Sequence, residues 1–133
     1  MLSRRNFLQS TAATVGGITV LPYIAHAGGG AMQFSGVKVH PVSHASVVLE
    51  TPMGVVYSDP VGDPALYTDL PVADLVLITH HHGDHLNNDT LAAVLNDKAT
   101  LISNAGAKDK MTADLTARAQ VIGNGDTTNF GDM

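Results

Sequence analysis

Asp74-Leu75-Val76-Leu77-Ile78-Thr79-His80-His81-His82-Gly83-Asp84-His85-Leu86 decides how this chain is read, because an apolar run passes directly into a cluster of metal-ligand side chains. Leu75 to Ile78 is β-favouring and shows no polar alternation, the pattern of a strand covered on both faces. A central strand is expected there. Four of the seven histidines fall between positions 80 and 85. They stand at that strand's carboxyl end, where open α/β sheets build their ligand sites.

Spacing turns the cluster into an expected geometry. If the chain stays extended past Thr79, His80 and His82 point to one side, because side chains alternate along extended backbone, and His81 points away. Gly83 is expected to supply a turn that a residue with a Cβ would resist. Asp84 and His85 can then face a second ion roughly 3.5–4 Å from the first, as in two-metal hydrolytic sites. A solvated His-rich tract is the plain alternative for three consecutive histidines. The buried strand before them, and the carboxylate and glycine at useful offsets, favour a working site.

Composition bounds the chemistry. The chain has 133 residues, no cysteine and a formal charge of -5. Disulfides and thiolate sites are excluded, so a transition-metal site must draw on histidine and carboxylate, a donor set suited to zinc, manganese or iron. An acidic chain of this kind offers no basic surface for nucleic acid.

Ser3-Arg4-Arg5-Asn6-Phe7-Leu8, the mildly apolar stretch from Thr11 to Ile24 and Ala25-His26-Ala27 together look like a twin-arginine export signal with an A-x-A cleavage site. Residues 1–27 are therefore expected to leave, and the protein is expected in the periplasm or otherwise outside the cytoplasm. Its first partner would be the twin-arginine export machinery. As a membrane anchor the stretch is poor, being rich in Gly, Ala and Thr and interrupted by Pro22.

Residues 28–133 read as one α/β domain. Val37 to Val42 is expected as a strand that lies at an edge or ends early because of Pro41. Ala45 to Thr51 and Val55 to Ser58 form a hairpin around Pro52-Met53-Gly54. Residues 61–73 read as loop. Asn88 is the expected N-cap of a helix through about Asn96, with Leu91, Val94 and Leu95 on one face. Thr100 to Ser103 is a further strand, Asn104 caps a short helix through Met111, and Gln120 to Ile122 rejoins the sheet before an Asn124-Gly125 turn.

His80-His81-His82-Gly83-Asp84-His85 resembles the H-x-H-x-D-H signature of the metallo-β-lactamase superfamily, and Asp74 to Thr79 resembles the strand that carries it. The resemblance implies an αββα sandwich and two divalent ions, zinc above all with manganese or iron as alternatives. His80 and His82 would bind the first ion, and Asp84 and His85 the second. Asp84 would also orient the ion-activated water that attacks an ester, lactone or phosphodiester, so the partner implied is a small-molecule substrate. Asp59, after a comparable strand, would hydrogen-bond a metal-bound histidine and fix its ring; read without the resemblance, Asp59-Pro60 is an ordinary turn starter. His44-Ala45-Ser46 resembles the hairpin start of the ascorbate-6-phosphate lactonase-like and acylethanolamine-phospholipase-like branches. A lone histidine at a strand start is more often an ordinary half-buried residue.

The family adds further histidine and aspartate ligands downstream, whereas no histidine follows His85 here. The chain is therefore expected to cover the amino-terminal half of the sandwich, to be inactive alone and to self-associate through open sheet edges. A naturally short protein completed by a partner is the alternative to a fragment. A non-catalytic periplasmic metal-binding protein is the alternative to an enzyme.

Overall fold

The computed structural model describes residues 31–130; the export signal expected over residues 1–27 lies outside them. The described residues form a seven-stranded sheet in sequence order. Its strands are β1 (Met32–Phe34), β2 (Val37–Ser43), β3 (Ser46–Thr51), β4 (Gly54–Ser58), β5 (Leu75–Ile78), β6 (Thr100–Ser103) and β7 (Ala119–Val121). The first four run antiparallel, and β4 to β7 run parallel. Parallel neighbours need crossovers. These are a 3-10 turn at Pro64–Tyr67, helix α1 (Asn88–Val94), and helices α2 (Ala105–Lys108) and α3 (Ala113–Arg118). This is a mixed α/β sheet with helices.

Strand register explains where the core lies. Val48 stands opposite Tyr57, Tyr57 opposite Val76, Val76 opposite Leu101 and Leu101 opposite Ala119. That row crosses five strands on one face, and it clusters with Leu91 and Leu95 around α1, Ala107 of α2 and Leu115 of α3. Val76 and Leu91 are wholly excluded from water. Burying each such side chain contributes about 1.5–3 kcal/mol. The intervening residues Val47, Leu49, Val56 and Leu77 occupy the other face and are half-buried.

Several local expectations are corrected by the structure. β2 is no edge strand, since it pairs with both β1 and β3. Pro41 is tolerated because β1 reaches only as far as Val39 and the register with β3 shifts between Pro41 and Ser43. The N-cap of α1 is Asn87, not Asn88: its side chain accepts from Thr90 N, and the helix ends at Val94. Within the expected loop 61–73, Asp63 caps the 3-10 turn by accepting from Ala65 N.

Asn104 does cap α2, accepting from Ala107 N at 2.7 Å. That helix stops at Lys108 rather than reaching Met111, because Lys110 N and Met111 N bond three residues back and tighten its end. Helix α3 follows and was not expected. Its Arg118 donates to the carbonyls of Leu95, Asn96 and Ala99, closing the exposed end of α1. β7 accordingly begins one residue early, at Ala119. The expected Asn124-Gly125 turn is present, with Gly125 at φ 85° and Asp126 N donating to Gly123 O.

Candidate metal centre

The carboxyl ends of β4, β5 and β6 converge, and each contributes to one constellation. Asp59 follows β4, Thr79 through His85 follow β5, and Asn104 follows β6. Because β3 runs antiparallel to β4, the β2–β3 turn also comes to this end and brings His44 with it.

Asp59 is the buried anchor. Its side chain is 4% exposed. One carboxylate oxygen accepts from Thr79 N at 2.7 Å. The other accepts from Thr79 Oγ1 at 2.7 Å and lies 2.9 Å from His85 Nδ1. The backbone of Asp59 is left-handed at φ 45°, and that conformation is held by Leu77 O accepting its N–H and by Ser46 Oγ donating to its carbonyl.

Those bonds settle which ring nitrogens face outward. Neutral imidazole has one N–H, so His85 Nδ1–H donates to Asp59 and Nε2 keeps its lone pair. Thr79 has a single hydroxyl hydrogen, already given to Asp59, so its 3.0 Å contact with His80 Nδ1 is an N–H donated by His80. His80 Nε2 is then free as well. One carboxylate thus orients two histidines, His85 directly and His80 through the Thr79 hydroxyl. Asn104 Nδ2 steadies the segment from the far side, donating to Thr79 O at 2.7 Å.

His82 begins a helical turn in which its carbonyl accepts from His85 N and Leu86 N. That turn, rather than any special conformation of Gly83, swings Asp84 and His85 round. Gly83 has no positive φ, and a Cβ placed there would meet nothing within 4 Å. The expectation that the turn depends on glycine is therefore corrected.

Two groups of ligand atoms result, each with its atoms within 4.8 Å of one another: His80, His82 and Asp84, and His44, Asp84 and His85. The rings of His80 and His82 are 4.7 Å apart, and those of His80 and His85 are 3.9 Å apart. His81 belongs to neither group and lies beside Gly106 of α2. Asp84 belongs to both. Its carboxyl is held below the usual carboxylate range, first by its own backbone N–H, which outweighs an opposing desolvation, and then by nearby His85 and His44. A carboxylate flanked by imidazoles is a donor set that fits a divalent transition ion.

The sequence underweighted His44 and did not single out Thr79. His44 Nε2 lies 3.0 Å from Asp84 Oδ2, the oxygen that is 3.6 Å from His85 Nε2. Only the turn of an antiparallel hairpin could carry it there, and its pairing with a loop forty residues on leaves no trace in spacing. His44 sits at φ 45°. A non-glycine residue in such a conformation costs about 1–3 kcal/mol, more than the roughly 0–1 kcal/mol an exposed ion pair contributes. A cavity of about 390 Å³ lined by Tyr57, Tyr67, Leu70, Val72 and Val94 contains none of these histidines.

Residues 38–133 match the family model of the beta-lactamase superfamily domain. The chain is also similar to the crystal structure of a protein from Parabacteroides distasonis ATCC 8503 whose name assigns it as a metal-dependent hydrolase. The two share 33% sequence identity with a TM-score of 0.58. The match covers 69% of this chain and 40% of that one, so it spans less than half the length of that solved relative.

Proposed function

The chain belongs to the beta-lactamase superfamily, a hydrolase family with metal-dependent members, and from that premise we propose that it carries the metal-binding half of a hydrolase acting on an ester, lactone or phosphoester. The observation that carries this reading is the pair of ligand groups sharing Asp84. His80 and His82 would hold one divalent ion, Asp84 and His85 a second, with zinc first and manganese or iron as alternatives. Bound ions of this kind supply a nucleophilic hydroxide at neutral pH and polarise the bond under attack.

The chain's own residues then do three things. Asp59 and Thr79 fix the tautomers of His85 and His80, so that unprotonated nitrogens face the site without reorganisation. Asp84, which remains ionised, accepts a hydrogen bond from the attacking water and orients it. The exposure of His82, Asp84 and His44 leaves that side of the cluster open to a small-molecule substrate. The H-A-S segment at His44 favours a lactone or phosphoester over a β-lactam by its likeness to those branches.

The test uses an aryl ester, a lactone and a bis-aryl phosphodiester, with zinc or manganese supplied. They are assayed with the 133-residue chain and with a chimera that joins it to the carboxyl-terminal remainder of the Parabacteroides protein. Turnover of at least one substrate by the chimera, abolished by a chelator, with negligible turnover by the short chain, is the expected result. Metal binding with no turnover in either favours a non-catalytic metal-binding protein, and chelator-insensitive turnover contradicts the reading.

The proposal extends to the cell. Arg4-Arg5 ahead of Thr11 to Ile24 and Ala25-His26-Ala27 supports export through the twin-arginine pathway to the periplasm, a route that carries folded, metal-loaded proteins. A variant with both Arg4→Lys and Arg5→Lys should remain uncleaved in the cytoplasm; processing as efficient as the parent's would overturn the assignment. The half-buried apolar face formed by Val47, Leu49, Val56 and Leu77 supports self-association through that surface.

A further inference from the structure

His44 is the strongest feature that the family pattern leaves without a role. Its Nε2 reaches the same Asp84 oxygen that faces His85 Nε2. All three residues offer ligand atoms within one ion's reach. His85 is already committed through Nδ1 to Asp59, so only its Nε2 is available, and that atom points toward Asp84 and His44. The rings of His44 and His85 stand edge to face, 6.1 Å between centroids and 84° between planes. Two imidazoles at right angles around one carboxylate oxygen leave room between them for an ion without stacking.

The turn makes the point independently. His44 is one of three non-glycine residues with positive φ among those described, and a second, Asp59, anchors the same site. Asparagine or glycine would occupy such a hairpin position with less strain. An exposed contact with Asp84 alone does not offset that strain, and His44 is 63% exposed. Strain of this kind persists where the side chain has work to do.

We propose that His44 is a protein ligand of the second ion, completing with Asp84 and His85 a three-residue set supplied wholly by this chain. The inference rests on the metal-site reading above. It changes that reading in one respect: the second ion then has three protein ligands among the described residues and one or more coordination positions open to water or substrate, the arrangement of a catalytic rather than a closed structural site.

The test is equilibrium dialysis of zinc with the full 133-residue chain, its His44→Asn variant and a His81→Asn control, the bound metal counted by elemental analysis. Asparagine suits the left-handed turn, so the variant should fold as the parent does, and far-UV circular dichroism checks this. The parent and the control should each hold two ions. His44→Asn should hold one at parental affinity and a second weakened at least tenfold. Two ions at unchanged affinities in His44→Asn would overturn the role of His44 and leave the two-ion reading standing. No bound zinc in the parent would overturn both.

Discussion

Asp84→Ala is expected to strip both ions from the chain, whereas His81→Ala is expected to leave both in place. The asymmetry follows from position. Asp84 is the one residue present in both ligand groups, and its carboxyl is held below the usual carboxylate range, first by its own backbone N–H and then by His85 and His44. Removing it deletes the only negative charge among the ligands of each group, so the loss should exceed the about 10–100-fold in affinity that outer hydrogen-bonding partners typically control. His81 lies next to His80 and three residues from Asp84, yet it turns toward Gly106. Competition with a chromogenic zinc chelator measures both variants. Equal losses for His81→Ala and Asp84→Ala would mean that the His tract binds metal by composition rather than by geometry.

Asp59→Asn should be nearly as damaging, although Asp59 belongs to neither ligand group. Its two oxygens face Thr79 N, Thr79 Oγ1 and His85 Nδ1. An asparagine keeps the shape but replaces one acceptor with an NH₂ group that must donate. If that group faces His85, Nδ1 becomes the acceptor, the ring carries its proton on Nε2, and the lone pair that should meet the ion is gone. If it faces Thr79 N instead, two donors oppose each other in a buried site. Metal affinity is expected to fall about 10–100-fold, and stability by about 1–3 kcal/mol for a buried donor left unmatched. Urea unfolding of the metal-free chain separates the two effects. Unchanged zinc affinity in a folded Asp59→Asn chain would show that the carboxylate does not set the histidine tautomers.

Much of the site was legible because it is local in sequence. Leu75 to Ile78 announces a buried strand, and in the structure it is a central parallel strand of the sheet. The offsets of His80, His82, Asp84 and His85 place four side chains within a single loop, and the structure brings them together. The missing parts are those that depend on pairing between distant segments. His44 reaches Asp84 only because β3 returns antiparallel to β4, and Thr79 acquires its role only when Asp59 arrives from the neighbouring strand.

Local errors had local causes. Asn87 and Asn88 are both credible caps, and the choice fell to Asn87 because its side chain reaches Thr90 N, while Asn88 instead spans to Lys110 O and Thr112 N. Gly83 was credited with a turn that the His82 carbonyl makes without it. Pro41 signalled an edge, yet β2 pairs on both sides, and Pro41 is accommodated because it lies beyond Val39, where the pairing with β1 ends. Helix α3 escaped notice because its packing on α1 through Arg118 is tertiary, and six residues are too few to show a period.

The measurement that bears most directly on the account is zinc K-edge X-ray absorption of the full chain loaded with two equivalents of zinc. The geometry predicts a first shell of mixed imidazole nitrogen and carboxylate oxygen, with nitrogens at about 2.0–2.1 Å and the outer-ring scattering of about two imidazoles per ion, diminished in His82→Ala and untouched in His81→Ala. A shell of oxygen alone, or imidazole scattering that falls equally in the two variants, would contradict it.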